Sequence, residues 1–511
     1  MIMIPHNESS DKTTDTFTLE AQSIEECENS KPKHKWTGRD RLFSEFDNHG
    51  RLHLIEEFFH RLQIGTLLSK CGFNKIWGIG TTLLMLVLVL SPFSGNKSIN
   101  GFFTGRLKEI MPFHRASLYR FVKRGLNWSL LTQHIAKNAI DEINKNIQPR
   151  TGFFVLDDTL IERGSCELLA RVFDHNAHHF LQGVLSLLLG WTDGISFITV
   201  DSKTVSSPNK ENRYSEACKK YDGRTIGALI RKEATTSKTV LAVKMVKAAL
   251  RVGIKAKYML MDSWFLSSDL LKTLSELGLD TICMSKSHYV YATNPNGKGK
   301  HIAEIAEILR QRNKRNNKKA NGSKGIIGST IVYWHGIALK IVIARDYSKN
   351  EDGVIALVST DVSLSAKEII HYYGFRWKIE TNFKASKQYF GLDSECISTD
   401  FDAINAFIHI SYIRCILAET IQRLNNDVRT IGGIFKDVQQ KTLELPYHVA
   451  LSRLIGTITT IEKKILNTVI LSKEQRDNIK AIFKAEMEKW YDGIFMFIRD
   501  SLMPPKNSCP Q

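Results

Sequence analysis

Three short apolar runs constrain this chain more than any other feature: GFFVLDD (152–158), KYMLMDS (257–263) and TICMSK (281–286). Each is too short for a globular helix and ends on polar residues, as a buried strand does. Between them lie KTVLAVKMVKAAL and DLLKTLSELG, whose apolar residues recur every three and four positions, with Gly278 as a helix stop. Strand and helix alternating in this way predict an α/β fold with parallel strands. Two of the runs end on acids, Asp157-Asp158 and Asp262. Acids at the carboxyl ends of neighbouring parallel strands face the crevice where such sheets bind ligands.

The rest of the chain is organised around that core. Residues 1–40 hold eight acids against five Lys/Arg without periodicity and read as a disordered tail. Residues 41–150 read as a helical region (LHLIEEFFHRL, TTLLMLVLVL, LLTQHIAKNAIDEI). Residues 151–286 and 351–424 read as the α/β core, 287–350 as a β-rich insertion, and 425–511 as a C-terminal helical region. GVLSLLLGW, TDG and ISFITVDS form a hairpin pattern with Asp193-Gly194 at its turn. In the insertion, GSTIVYWHG and IALKIVIARDY read as strands around His335-Gly336. They follow a basic loop, Arg310 to Lys324, with seven cations and no acid.

The net charge of +17 favours a polyanionic partner, nucleic acid before an anionic membrane. A basic segment, Arg106 to Arg124, includes SLYRFVKRG. Its Arg120, Lys123 and Arg124, with Ser117 as N-cap, read either as a nucleic-acid-reading helix or as a solvated basic face. The eight cysteines form no Cys-x-x-Cys pair, which fits a reducing compartment. No basic n-region precedes an apolar stretch at the N-terminus, so a cytoplasmic location is expected. The apolar run Thr81–Phe93 is shorter than the roughly 20 residues of a membrane span and reads as a buried helix.

The stretch YYGFRWKIETNFKASKQYFGLD (372–393) mixes aromatics, cations and one acid. On a single helix with Tyr373 at zero, Arg376, Glu380 and Lys387 fall at roughly 300°, 340° and 320°. Phe375, Ile379, Phe383 and Phe390 fall between roughly 200° and 280°, so the polar stripe borders the core stripe. That placement suits the mouth of a cleft. Two Asp and one Glu converging there would repel one another unless cations sat between them. Such hard oxygen donors suit Mg2+ or Mn2+, as a pair of ions acting on a phosphodiester. Each Asp taken alone reads equally as the cap of a following turn.

Tyr-x2-Arg-x3-Glu-x6-Lys at Tyr373, Arg376, Glu380 and Lys387, with VLDDT and MLMDSWF upstream, resembles the signature of bacterial insertion-sequence transposases of the DDE type, in the group named for insertion sequence 4. The resemblance covers about residues 150–395. It implies a ribonuclease H-like core that cuts transposon ends and joins the 3′-hydroxyl to target DNA. It also implies a homodimer in the end complex and no membrane. Carried over, Asp158, Asp262 and Glu380 are the ligands of two Mg2+ or Mn2+ ions. Asp158 is preferred to Asp157 because the family's Asp stands just before a Thr, here Thr159, and neighbouring strand residues point to opposite faces. Tyr373, Arg376 and Lys387 are implied to bind DNA-end phosphates. Trp334 is the candidate to stack on a flipped base. The helical region 41–150 is expected to recognise the terminal inverted repeats. The alternatives are a metal-dependent nuclease without joining and a non-catalytic DNA-binding descendant of a transposase; the intact acid set speaks against the latter.

Overall fold

The computed structural model describes residues 54–492, apart from 76–77, 96–97, 105–112, 175–177, 219–220, 296, 316–324 and 347–352. The expected tail 1–40, Arg106 and Lys108 of the basic segment and most of the basic loop lie outside the described residues.

Six helices come first: α1 (Leu54–Arg61), α2 (Ile64–Lys70), α3 (Thr81–Leu90), α4 (Ile99–Thr104), α5 (Ala116–Val122) and α6 (Trp128–Asn146). The apolar run is α3, in which every residue from Leu83 to Leu90 is buried in the core of the protein. Ser117 does not cap α5. The helix starts one residue earlier and Ser117 lies inside it.

The sheet follows. Strands β1 (Phe153–Glu162), β2 (Ala170–Asp174), β3 (His179–Thr192) and β4 (Phe197–Val205) lead through helices α7 (Ile226–Ala234) and α8 (Lys238–Arg251) to β5 (Tyr258–Met261), then through α9 (Ser268–Glu276) to β6 (Asp280–Met284). β1 pairs in parallel with β5, and β5 with β6, while β1–β3 and β3–β4 are antiparallel. The long α8 and α9 crossovers are what parallel pairing requires. This mixed α/β arrangement is consistent with a ribonuclease H-like core.

The segment between β6 and β11 (Val354–Ser359) extends the same sheet. It holds β7 (Val290–Ala292), β8 (Gly299–His301), β9 (Ile326–Trp334) and β10 (Ile337–Arg345), and the strand order runs β3–β1–β5–β6–β11–β10–β9–β7–β8. β9 and β10 meet in a two-residue turn, Trp334 facing Ile337. His335 and Gly336 there both have positive φ, 48° and 78°, the combination that matches strand twist in a tight hairpin. The segment is not strands and loop alone. A 14-residue helix, α10 (Ile302–Arg315), takes in the first residues of the expected basic loop.

Helices α11 (Ala366–Gly374), α12 (Trp377–Gln388), α13 (Phe401–Leu424), α14 (Ile431–Thr468) and α15 (Lys473–Asp492) complete the chain. α13 starts where the Asp400 carboxylate accepts from the backbone N–H groups of Asp402 and Ala403. Among the described residues it is the one helix long and apolar enough to cross a membrane, but that whole stretch is buried inside the protein. It packs on α6 and β4 and also touches α1, α3 and α5, so the N-terminal helices and the sheet share one continuous core.

Polar groups on α13 fix how it sits. The Arg414 side chain is fully buried and pairs with both carboxylate oxygens of Glu395. It also donates to the carbonyls of Phe390 (2.8 Å) and Leu88, and to the Ser91 hydroxyl (3.1 Å). One guanidinium thereby joins the end of α3, the segment after α12, and α13. Breaking a buried pair leaves a charge without a partner, at a cost of roughly 3–5 kcal/mol. Arg414→Met is therefore expected to lose about that much in chemical denaturation. A loss below about 1 kcal/mol would show that the junction does not depend on it.

Candidate active site

The stretch 372–393 is two helices, not one. α11 ends at Gly374 and α12 begins at Trp377. Across the junction the backbone bonds tighten to an i→i−3 pattern, Arg376 N–H to the Tyr373 carbonyl and Ile379 N–H to the Arg376 carbonyl, both 3.0–3.1 Å. The cause lies beneath it. The turn joining β3 to β4 presses Gly194, at φ +86°, against the Phe375 ring, where a Cβ would come within 2.8 Å of a ring carbon. Lys378 donates to the Ile195 carbonyl in the same turn (2.6 Å). The expected hairpin turn at Asp193-Gly194 is thus also the seat of the helix junction.

From that seat α12 runs along β1. Phe375 packs on Phe153 at the start of the strand, with ring centroids 5.2 Å apart. Next, Arg376 Nη1 lies 2.8 Å from Asp157 Oδ2 and 3.4 Å from Glu380 Oε1. At the far end Lys387 Nζ donates to the Leu160 carbonyl of β1 (2.8 Å). Tyr373 lies behind Arg376, 7% exposed, with the guanidinium 5.8 Å over its ring. The polar stripe read from the wheel therefore does face the sheet, although the helix breaks within it.

The structure divides the two acids of β1. Asp157 faces Arg376 and Glu380, while Asp158 Oδ1 pairs with Lys238 Nζ (2.9 Å) in the first turn of α8. Strand alternation does separate the pair, but the acid beside Glu380 is Asp157, not the expected Asp158. Burial pushes the Asp157 carboxyl up to about 7 against the opposing pull of Arg376, with Glu380 and Asp158 adding to the rise. Asp262 follows β5, the parallel neighbour of β1, and its side chain does not cap the turn that begins there. Its charge is felt by both Arg376 and Tyr373. Burial raises the Tyr373 hydroxyl well above its usual range, so it stays protonated and can act as a donor.

These acids are hard oxygen donors at strand ends, the chemistry that Mg2+ and Mn2+ prefer. Among the described residues, however, no three His, Cys, Asp or Glu side chains stand close enough together to hold one ion as placed. Arg376 occupies the space between Asp157 and Glu380.

Other expected contacts lie elsewhere. Trp334 is 8% exposed, stacked on Tyr289 at 5.2 Å and tilted on Tyr291 at 6.1 Å. Its faces are taken, which removes it as a platform for a base. The exposed tryptophans of the site are Trp264, two residues after Asp262, and Trp377, three before Glu380. Arg120, Lys123 and Arg124 sit at α5, which packs on α3 and α13 away from the sheet. Arg120 and Lys123 are exposed, and Arg124 donates to the Asn74 carbonyl (3.2 Å). Lys238 had no mark in the sequence. It opens an ordinary amphipathic helix, and only the fold carries it to Asp158.

The family model of the transposase DDE domain matches residues 193–415, which supports a DDE transposase. The match takes in Asp262, Tyr373, Arg376, Glu380 and Lys387 and begins after both acids of β1. No curated protein matches the chain.

The raised Asp157 carboxyl makes a signed prediction. An acid whose folded value lies above its unfolded one contributes stability at low pH and loses it as pH rises through the folded value, here about 7. In chelator, Asp157→Asn is expected to be more stable than the parent at pH 8, by on the order of 1–3 kcal/mol. The gap should close as pH falls toward 4. An equal or larger gap at low pH would contradict the burial of this carboxylate.

Proposed function

We propose that this chain is a DNA transposase of the insertion sequence 4 group, with a ribonuclease H-like core, that cuts transposon ends and joins the 3′-hydroxyl to target DNA. The observation that supports this best is the meeting of Glu380 from α12 with Asp157 of β1 around Arg376, beside the end of the parallel strand that leads into Asp262. This is the crevice position at which α/β sheets act on ligands, and the transposase DDE domain match spans most of it.

Asp262, Glu380 and one acid of the Asp157–Asp158 pair, with Asp157 the nearer to Glu380, would hold the ions. Bound Mg2+ or Mn2+ would make a water or 3′-hydroxyl nucleophilic and stabilise the leaving oxygen. The chain's own groups do the rest. Arg376 offers a planar fork to a phosphate, Lys387 a compact charge, and the Tyr373 hydroxyl a donor behind them. The exposed faces of Trp264 and Trp377 border the same crevice. The exposed cations Arg120 and Lys123, with Arg124, are assigned to the terminal inverted repeats, with two chains in the end complex, DNA-bound in the bacterial cytoplasm.

Glu380→Gln and Asp262→Asn are each expected to lower metal-dependent cleavage of the element's end at least a hundredfold while leaving DNA binding largely intact. Full cleavage by Glu380→Gln would remove that residue from the site. Asp157→Asn and Asp158→Asn, compared in the same assay, identify which acid of the pair is needed. A strand-transfer assay with a 3′-OH end and a target plasmid tests joining, and cleavage without joining would identify a nuclease instead. Arg376→Ala and Lys387→Ala should weaken end binding and reduce its dependence on salt. An unchanged salt slope would count against phosphate contacts.

A further inference from the structure

Every acid of the β1 pair is already held by a cation. Arg376 holds Asp157 and reaches Glu380; Lys238 holds Asp158 at 2.9 Å. Lys238 also lies 3.7 Å over the ring of Trp264, which stands two residues past Asp262, so one ammonium bridges β1 and the Asp262 loop. The Lys238 and Asp158 side chains are each only 17% exposed, and the Arg376 side chain is 14% exposed. Water therefore screens these pairs far less than it would surface pairs.

A cation engaged with a carboxylate oxygen cannot give that same bond to a phosphate, and a carboxylate engaged with a cation is a poor metal ligand. Carboxylate, phosphate and metal thus compete through the same few groups. Resting on the function proposed above, we propose that Lys238 and Arg376 are exchangeable cations that pass from the site's carboxylates to DNA phosphates, so that DNA binding releases the acids to the divalent ions. Lys238 is on this reading a DNA-binding residue as well as a guard of Asp158. Whichever acid of the β1 pair ligates metal, a cation must leave it first. DNA and metal then bind with positive coupling, and linkage requires each to tighten the other by the same factor.

The test is Mn2+ binding to the full chain, followed by electron paramagnetic resonance of the free ion, with and without a short DNA duplex at low salt. The duplex is expected to raise Mn2+ affinity about tenfold or more, and Mn2+ to raise duplex affinity equally. Lys238→Met or Arg376→Met should bind Mn2+ more tightly than the parent when no DNA is present and show weaker coupling. Lys238→Arg, which keeps the charge, should behave like the parent. The parent chain's response to duplex is informative even if a variant fails to fold. Mn2+ affinity indifferent to duplex, or unchanged in both Met variants, overturns the exchange. If such a chain still cuts and joins DNA, the proposed function stands without it; Mn2+ bound in neither arm overturns both. Coupling without cleavage supports the exchange and removes the transposase reading.

Discussion

The buried pair of Arg414 with Glu395 is the tie on which the relation between the helices and the sheet depends. It satisfies a carboxylate, two backbone carbonyls and a hydroxyl drawn from three parts of the chain. A hydrophobic contact would tolerate sliding, because it has no direction. A guanidinium with its donors matched to fixed acceptors has one arrangement. Arg414 stands on α13, against which α12 also packs. The helix bearing Glu380 is thereby referenced to the same frame that holds the N-terminal helices.

A second polar seam does similar work on the other side of α13. Asp201 of β4, fully buried, accepts from Ser129 (2.6 Å) and Gln133 (2.9 Å) of α6. His409 of α13 meets Thr132 of α6 at 2.9 Å, and Asn405 accepts from Thr204 at 2.9 Å. Burial pushes His409 down to about 3, so it is a neutral hydrogen-bonding group here and not a charge. Buried polar groups of this kind are satisfied in pairs, and their pairing selects one register of helix on sheet.

What the sequence disclosed and what it withheld follow from range. The strands ending in acids, the Asp193-Gly194 and His335-Gly336 turns and the buried α3 were legible because each rests on neighbours in the chain. The stripe of Arg376, Glu380 and Lys387 was legible for the same reason, but the break at Phe375 was not, since it comes from Gly194 almost two hundred positions away. The choice between Asp157 and Asp158 could not be made by alternation, which separates two faces without saying which one meets α12. Trp334 carried the right chemistry for a base platform, yet Tyr289 and Tyr291 enclose it. Lys238 and Arg414 were silent altogether, because a cation in a helix acquires meaning only from what the fold sets opposite it.

The course of α12 along β1 gives the spacing of its polar residues a metric sense. From Glu380 to Lys387 a helix advances about 10.5 Å, at 1.5 Å per residue. From Asp157 to Leu160 a strand advances about 10 Å, at 3.3 Å per residue. The six residues between the Glu and the Lys are thus a ruler, cut so that two turns of helix span three steps of strand. Replacing one of those six changes a surface; inserting or removing one would put the two scales out of step.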